Sequence, residues 1–304
     1  MQFSVTILGA GSASPALGRH PTAQLLAYDT DCYLIDCGEG TQYQLLKLKL
    51  RPSKLKYVFI SHLHGDHYFG LIGLLSTLNL GGRTEPLWLF GPRGLNEILM
   101  MQFKYAESSL QFPIHYTEVE TTRSYQVFEN EQLTVQTIPL QHRVPCAGYL
   151  FREKQRPRNI IKEKLPDDLP FEFIHQLKAG HDVRDEAGTV LFACADYTYP
   201  PLPCRSYAFC SDTRYEPALA EIVKGVDLLY HEATFMEDLA QQASERYHAT
   251  ARQAAQIAQQ AQVKKLLIGH FSSRYKTLDG FRDEAQAVFL NTEIAEEGQT
   301  FAVE

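Results

Sequence analysis

Short apolar stretches recur along the chain, and between several of them lie longer segments whose apolar positions fall three and four apart. The short ones are rich in β-branched and aromatic residues, and they predict strands: FSVTILG (3–9), QLLAYDT (24–30), CYLIDCG (32–38), YVFISHL (57–63), PLWLFGP (86–92), LTVQTIPLQH (133–142), RSYAFCSDT (205–213), VDLLYHEAT (226–234) and KLLIGH (265–270). The longer ones predict helices: TQYQLLKLKL (41–50), FGLIGLLSTLNL (69–80), GLNEILMMQFKY (94–105) and TARQAAQIAQQAQ (250–262). Thr41 with Gln44, and Thr250 with Gln253, have capping-box spacing, and Gly81 and Gly82 stop the second helix. Strands alternating with helices imply an α/β architecture. The alternation breaks between about 150 and 190, a charged stretch with Pro157, Pro166, Pro170 and the acidic pair Asp167 and Asp168. It reads as an arm, about 151–187, inserted in a single domain spanning 1–304. There is no internal repeat and no low-complexity tract.

Composition narrows the class. A chain of 304 residues, 44% hydrophobic, is globular and long enough for a large core. No apolar run approaches the ~18 residues of a membrane span. The opening MQFSVTILGAGSASP has no cationic segment and reads as a first strand and turn. The six cysteines, at 32, 37, 146, 194, 204 and 210, form no C-x-x-C pair, and they are expected as reduced thiols in a cytoplasm. The formal charge of −7 works against nucleic-acid binding, so its distribution matters more than its sum. Residues 151–164, FREKQRPRNIIKEK, run against it with Arg152, Lys154, Arg156, Arg158, Lys162 and Lys164. Such a stretch is either a solvated face or a phosphate-backbone contact.

The chemistry concentrates at SHLHGDHYFG (61–70), which directly follows a predicted strand. In extended chain, side chains two apart point the same way, so His62 and His64 can grip one ion together. Gly65 is expected to permit a sharp turn that sends Asp66 and His67 toward a second. Imidazole with carboxylate suits zinc, with manganese or iron as other occupants. Further donors sit directly after apolar strands: His142, Asp212 and His270. ILGAGSASP mimics a dinucleotide fingerprint, but Ser14 stands where a third glycine is needed, so it reads as a tight turn.

HLHGDH, followed by single His, Asp and His residues at strand ends, resembles the metallo-β-lactamase superfamily. Taken together, ILGAGSASP, LIDCGEGTQYQL, RPSKL, SHLHGDHYFGLIGLL, FCSDTRY, HEATF, YHATARQAAQIA and GHFSSRY resemble the ribonuclease Z family, in consistent order to about residue 275. The resemblance implies an αββα sandwich with an inserted substrate-binding arm, acting as a zinc phosphodiesterase that removes the 3′ trailer from precursor tRNA. It implies two zinc ions per chain, the first on His62, His64 and His142, the second on Asp66, His67 and His270, with Asp212 bridging. It also implies His248 as general acid supported by Glu232, Asp66 as acceptor of the attacking water's proton, and a homodimer. His231 is a weaker candidate, and His20, His115, His175 and His181 read as structural or surface residues. The arm departs from the family pattern: it lacks an obvious Gly-Pro tip. Two other readings stay open, another hydrolase of the superfamily and a non-catalytic RNA-binding scaffold.

Overall fold

The structure is a computed structural model that describes residues 2–304 except Asp167, so one half of the acidic pair in the arm lies outside the described residues. The chain divides into two compact units. The first comprises residues up to Phe128, Val135–Phe151 and Ser206–Glu304, and the second comprises Glu129–Thr134 and Arg152–Arg205.

The first unit is built on two seven-stranded sheets. One runs in the order Thr300–Ala302, Phe3–Gly9, Ala23–Tyr28, Asp31–Ile35, Leu55–Phe59, Leu87–Gly91, Ile114–Glu118; the other runs Thr292–Ile294, Lys265–Gly269, Leu228–Glu232, Ser206–Cys210, Ala147–Glu153, Leu133–Pro139, Gln126–Glu129. Side-chain alternation along a strand separates two cores. Tyr33, Tyr57 and Phe59 turn toward the second sheet, where Phe59 meets Tyr149 at 5.1 Å and Phe151 at 5.4 Å between ring centres, and Tyr33 meets Phe151 at 6.0 Å. Their neighbours Leu34 and Val58, with Leu89, turn outward and pack with Leu71, Leu75, Leu95 and Leu99 of the helices Gly70–Leu80 and Leu95–Tyr105. On the second sheet, the helix Ala251–Gln260 lays Ala254, Ala255, Ile257 and Ala258 against the strands 228–232 and 265–269. Two sheets face to face with helices outside each make the αββα sandwich.

Strands buried on both faces lose polar alternation and read as plain apolar runs, which is why the central strands were legible. The edge strand Ile114–Glu118, mostly exposed, and the short Thr292–Ile294 and Thr300–Ala302 carry no such run and were not predicted. Ala147–Glu153 was also missed; its last three residues, Phe151 to Glu153, are the first three of the basic stretch. The box at Thr250 forms as expected, with the Thr250 hydroxyl accepting from the Gln253 amide and the Gln253 side chain accepting from the Thr250 amide. The one at Thr41 does not. Gly40 caps that helix at φ 85°, while the Gln44 side chain turns into the core and donates to the Leu8 carbonyl at 2.9 Å.

The second unit has a small core of Leu177, Val183 and Cys194, joined by Phe173, Phe192 and Tyr197, under the helix Phe171–Lys178. Among the described residues, no helix is long and apolar enough to cross a membrane.

Candidate metal centre

Strand direction collects the site. Ser206–Cys210, Leu228–Glu232 and Lys265–Gly269 are parallel neighbours, with Cys210 beside His231 and Glu232 beside Gly269. Asp212, Glu232 and His270 therefore leave one edge together. In the other sheet Asp31–Ile35 and Leu55–Phe59 are parallel, Ile35 beside Phe59, and Asp36 and the 60–64 loop leave side by side. Gly65 opens a short helix, Gly65–Tyr68, in place of the expected sharp turn, and its φ is not left-handed. A Cβ there would stand 2.3 Å from the ring of the exposed Phe69.

These elements bring donor atoms from His62, His64, His142 and Asp212 within 4.8 Å of one another, and likewise those of Asp66, His67 and His270. His64 Nδ1 lies 3.1 Å from both His62 Nε2 and His142 Nε2. Nitrogens about 2.0–2.1 Å from a tetrahedral zinc stand about 3.3 Å apart, so the spacing fits a shared cation. Asp212 faces both groups. Its Oδ2 is 3.7 Å from His62 Nε2 and 3.8 Å from His142 Nε2, and its Oδ1 is 3.4 Å from His67 Nε2 and 3.1 Å from His270 Nε2. Asp66 Oδ2 is 3.6 Å from the Nε2 atoms of His67 and His270.

The opposite ring nitrogens are held by partners that sequence reading missed. His67 Nδ1 donates to Asp36 at 2.7 Å, and the same carboxylate accepts from the Ser61 amide and hydroxyl. His142 Nδ1 donates to the Tyr247 carbonyl at 3.1 Å, His270 Nδ1 lies 2.8 Å from the Thr234 hydroxyl, and His62 Nδ1 lies 3.0 Å from the Ser61 hydroxyl. Such contacts select the tautomer whose free nitrogen faces the cluster. Asp36, in LIDCGEG, carried the same signal as the chosen candidates, a polar residue closing an apolar strand. Tyr247 and Thr234 carried none, because a carbonyl and a threonine hydroxyl have no sequence pattern.

Among the described residues, the buried side-chain atoms left without a hydrogen-bond partner include three in this cluster: His67 Nε2, His270 Nε2 and Asp212 Oδ1. Buried polar atoms are rarely left so. Here the three converge on one point, and a cation there would satisfy all of them. The charges agree. Burial alone would raise the Asp212 carboxyl, yet His270 and His67 hold it well below the usual carboxylate range. Burial likewise acts to raise Asp66, and His67 and His270 overcome it. Burial pushes His62 well below the imidazole range and lowers His64 and His142, which keeps them neutral donors. His67 is the exception: burial lowers it, but Asp212, Asp66 and Asp36 raise it well above its ordinary value. The point these carboxylates surround attracts positive charge.

Beside the cluster, His248 Nδ1 donates to Glu232 Oε1 at 2.9 Å. Burial would lower His248, but the Glu232 carboxylate raises it to about 9. Glu232 is fully buried and also accepts from the amides of Thr213 and Thr234. His248 lines a cavity of about 720 Å³ with His64, Asp66, Asp212 and His270 of the cluster, and Arg143, Arg246 and Arg274 are also on its wall. The loop read as a mere turn reaches the site too: the Ala13 amide donates to Asp66 Oδ2 at 2.7 Å. His231 is buried, donates to the Glu232 carbonyl and joins none of the donor groups. His20 pairs with Glu297, and His115 stacks on Trp88.

The basic residues of 151–164 lie in or at the start of the second unit, and most have partners there. Arg156 pairs with buried Glu153, Lys154 with Glu129, Arg158 Nε donates to the Thr198 hydroxyl at 2.7 Å, and Lys164 donates to the Asp196 carbonyl at 2.9 Å. Arg152 is half-buried and Lys162 exposed. Arg156 and Arg158 line a cavity of about 560 Å³ with His175 and Lys178.

A family model described as anti-Pycsar protein Apyc1 matches residues 3–160. That span includes the His62–His67 cluster and His142 but stops short of Asp212, Glu232, His248 and His270. The ribonuclease Z of Cytophaga hutchinsonii is 50% identical over 303 residues, covering 100% of this chain and 97% of that protein. The crystal structure of the short form of human tRNase Z superposes with a TM-score of 0.70 at 26% identity, covering 99% of each chain. The metallo-β-lactamase-fold protein YhfI from Bacillus subtilis gives a TM-score of 0.69 at 19% identity, covering 99% of this chain and 100% of that one, and shows the shared fold. With half its residues identical to those of a ribonuclease Z from end to end, the chain belongs to the ribonuclease Z family, on a metallo-β-lactamase fold.

Proposed function

We infer that this chain is a metal-dependent hydrolytic endoribonuclease that cleaves precursor tRNA at its 3′ side, leaving a 3′-hydroxyl on the tRNA and a 5′-phosphate on the trailer. The observation that carries the reading is the Glu232–His248 pair set against the His/Asp cluster in a chain half identical to a ribonuclease Z. The cofactor is read as two zinc ions. His62, His64 and His142 would hold the first, Asp66, His67 and His270 the second, with Asp212 between them. When bound, such a pair supplies Lewis acidity, making water a nucleophile near neutral pH and offsetting negative charge at the phosphoryl group.

The chain's own residues do the rest. Asp66, its Oδ2 held by the Ala13 amide, accepts the proton of the attacking water. His248 has Nδ1–H committed to Glu232, so the proton it can give is on Nε2. It delivers that proton to the leaving ribose 3′-oxygen, which is too basic to depart as an anion. Glu232 fixes the tautomer and stabilises the charged ring before transfer. Arg152, Lys154, Arg156, Arg158, Lys162 and Lys164 are read as the arm's contribution to binding the RNA backbone, together with Lys178 beside them in the cavity.

A homodimer is part of the reading. Tyr43 and Leu46 on the helix Thr41–Lys47 and Phe69 before the helix it packs against are 68%, 59% and 60% exposed, an apolar face suited to a second copy. Six free cysteines suit a reducing cytoplasm. The test compares cleavage of precursor tRNA and of bis(p-nitrophenyl) phosphate beside metal content. Activity on the small diester alone would favour a small-molecule phosphodiesterase, and activity on neither would favour an RNA-binding scaffold.

A further inference from the structure

The hydroxyl of Thr234 occupies a junction that neither the acid nor the metal ligands account for. Thr234 is buried, 3% exposed, two residues beyond the strand that ends at Glu232. Its Oγ1 lies 2.7 Å from Glu232 Oε2, 2.8 Å from His270 Nδ1 and 3.2 Å from His248 Nδ1. Its amide donates to the same Glu232 oxygen at 2.9 Å.

Counting protons settles the directions. A hydroxyl has one proton and two lone pairs. The Glu232 carboxylate has none to give, so Thr234 Oγ1 donates its proton to Oε2. Toward His270 it then acts only as an acceptor, and His270 Nδ1 must carry a hydrogen. A neutral imidazole protonated at Nδ1 is bare at Nε2, and His270 Nε2 is the orphaned buried atom facing Asp212 Oδ1 at 3.1 Å. His248 Nδ1–H is directed to Glu232 Oε1, the shorter contact, which leaves its Nε2–H for the leaving group. One hydroxyl thus lies between the carboxylate that supports the proton donor and the imidazole that faces the cation. His270 also sits at φ 62°, a left-handed conformation that a non-glycine residue keeps only when its surroundings enforce it.

We propose that Thr234 is a positioning residue that couples the two halves of the site: its hydroxyl selects the His270 tautomer able to ligate a cation and at the same time anchors the carboxylate that orients His248. The proposal rests on the reading of His270 as a metal ligand and of His248 as the acid. It touches no substrate, so its loss should appear as weaker metal binding and a misdirected acid with the cleft otherwise intact.

The direct test is the His270 tautomer in metal-free protein, read from two-bond proton–nitrogen couplings of 15N-histidine-labelled material, with His270→Gln for assignment. The expected result is hydrogen on Nδ1; hydrogen on Nε2 overturns the proposal without any Thr234 variant. The second test is zinc affinity, measured by competition with a chromophoric chelator. Thr234→Val keeps the shape and removes the hydroxyl. Its weaker zinc should bind about 10–100-fold less tightly, as losses of ligand-orienting partners do, while Thr234→Ser should restore binding. Cleavage of precursor tRNA should fall further in Thr234→Val than hydrolysis of bis(p-nitrophenyl) phosphate, because only the former needs the acid. Equal zinc affinity in wild type and Thr234→Val would overturn the coupling. Absence of zinc binding by wild type would instead overturn the metal reading on which it rests.

Discussion

The His/Asp cluster and the basic stretch 151–164 are both dense in charge, and the two use it in opposite ways. In the cluster the residues are mostly buried, each histidine but His64 has one ring nitrogen committed to a partner behind it, and the atoms left over converge. In the basic stretch the cations are half-exposed or exposed, and most are already paired within their own unit. Burial makes an unmatched polar atom costly, so several that persist and face one another mark the place of a missing ligand. An exposed cation is hydrated either way and marks nothing by itself. Functional commitment is therefore readable from geometry in the first region, whereas in the second it rests on charge alone.

The largest effect that can break this contrast is removal of Asp212, the residue facing both donor groups. Asp212→Ala should lose bound metal and fall to background on precursor tRNA and on bis(p-nitrophenyl) phosphate alike; full metal content in an inactive variant would contradict the role assigned to the cluster. His248→Ala comes next. It should slow tRNA cleavage by roughly the 10²–10⁴-fold typical of a lost general acid while keeping metal and much of the activity on the nitrophenyl diester, whose leaving group needs no proton. Glu232→Gln should be a milder version. Equal losses on both substrates with metal retained would give His248 some other task.

The same acid predicts a pH limb. His248 works protonated, and its value is raised to about 9 by Glu232. Bound cations nearby draw it down, so tRNA cleavage should decline with rising pH through a midpoint at or below about 9. In His248→Ala this alkaline limb should vanish. Its persistence in that variant would trace the limb to another group.

Two variants in the second unit sharpen the comparison at smaller scale. Arg205 holds buried Glu153 through its Nε at 3.0 Å and its second terminal nitrogen at 2.7 Å. Arg205→Ala should destabilise the protein by about 2 kcal/mol, the range of a lost hydrogen bond to a charged group, since Arg156 still pairs with Glu153, read as a shifted denaturant midpoint. Lys162→Ala should leave stability and the small diester untouched, weaken binding of precursor tRNA, and reduce the salt slope of binding by about one. An unchanged slope would remove Lys162 from the RNA contact.

Local pattern determined much about this protein. Apolar runs located the central strands because strands buried on both faces have to be apolar throughout, and polar residues closing those runs named His142, Asp212 and His270 before any geometry was known. The spacing of His62 and His64 put both in one donor group because extended chain alternates its side chains, while Asp66 and His67 reach the other through a helical turn at Gly65 and not through the sharp turn expected. Tertiary structure decided everything that depends on distance between segments far apart in sequence. It brought Asp36 to His67, Tyr247 to His142, Thr234 to His270 and the Ala13 amide to Asp66, contacts made by a carbonyl, a hydroxyl, an amide and one more carboxylate among many. It replaced the expected Thr41 box with a glycine cap, since the Gln44 side chain turns into the core and donates to the Leu8 carbonyl. It also placed Gly65 at the start of a short helix in place of a sharp turn. Alternation and capping are short-range rules acting within a few residues of chain. Which nitrogen of an imidazole faces a cation is set by whatever the fold places behind the ring, and no stretch of sequence encodes that neighbour locally.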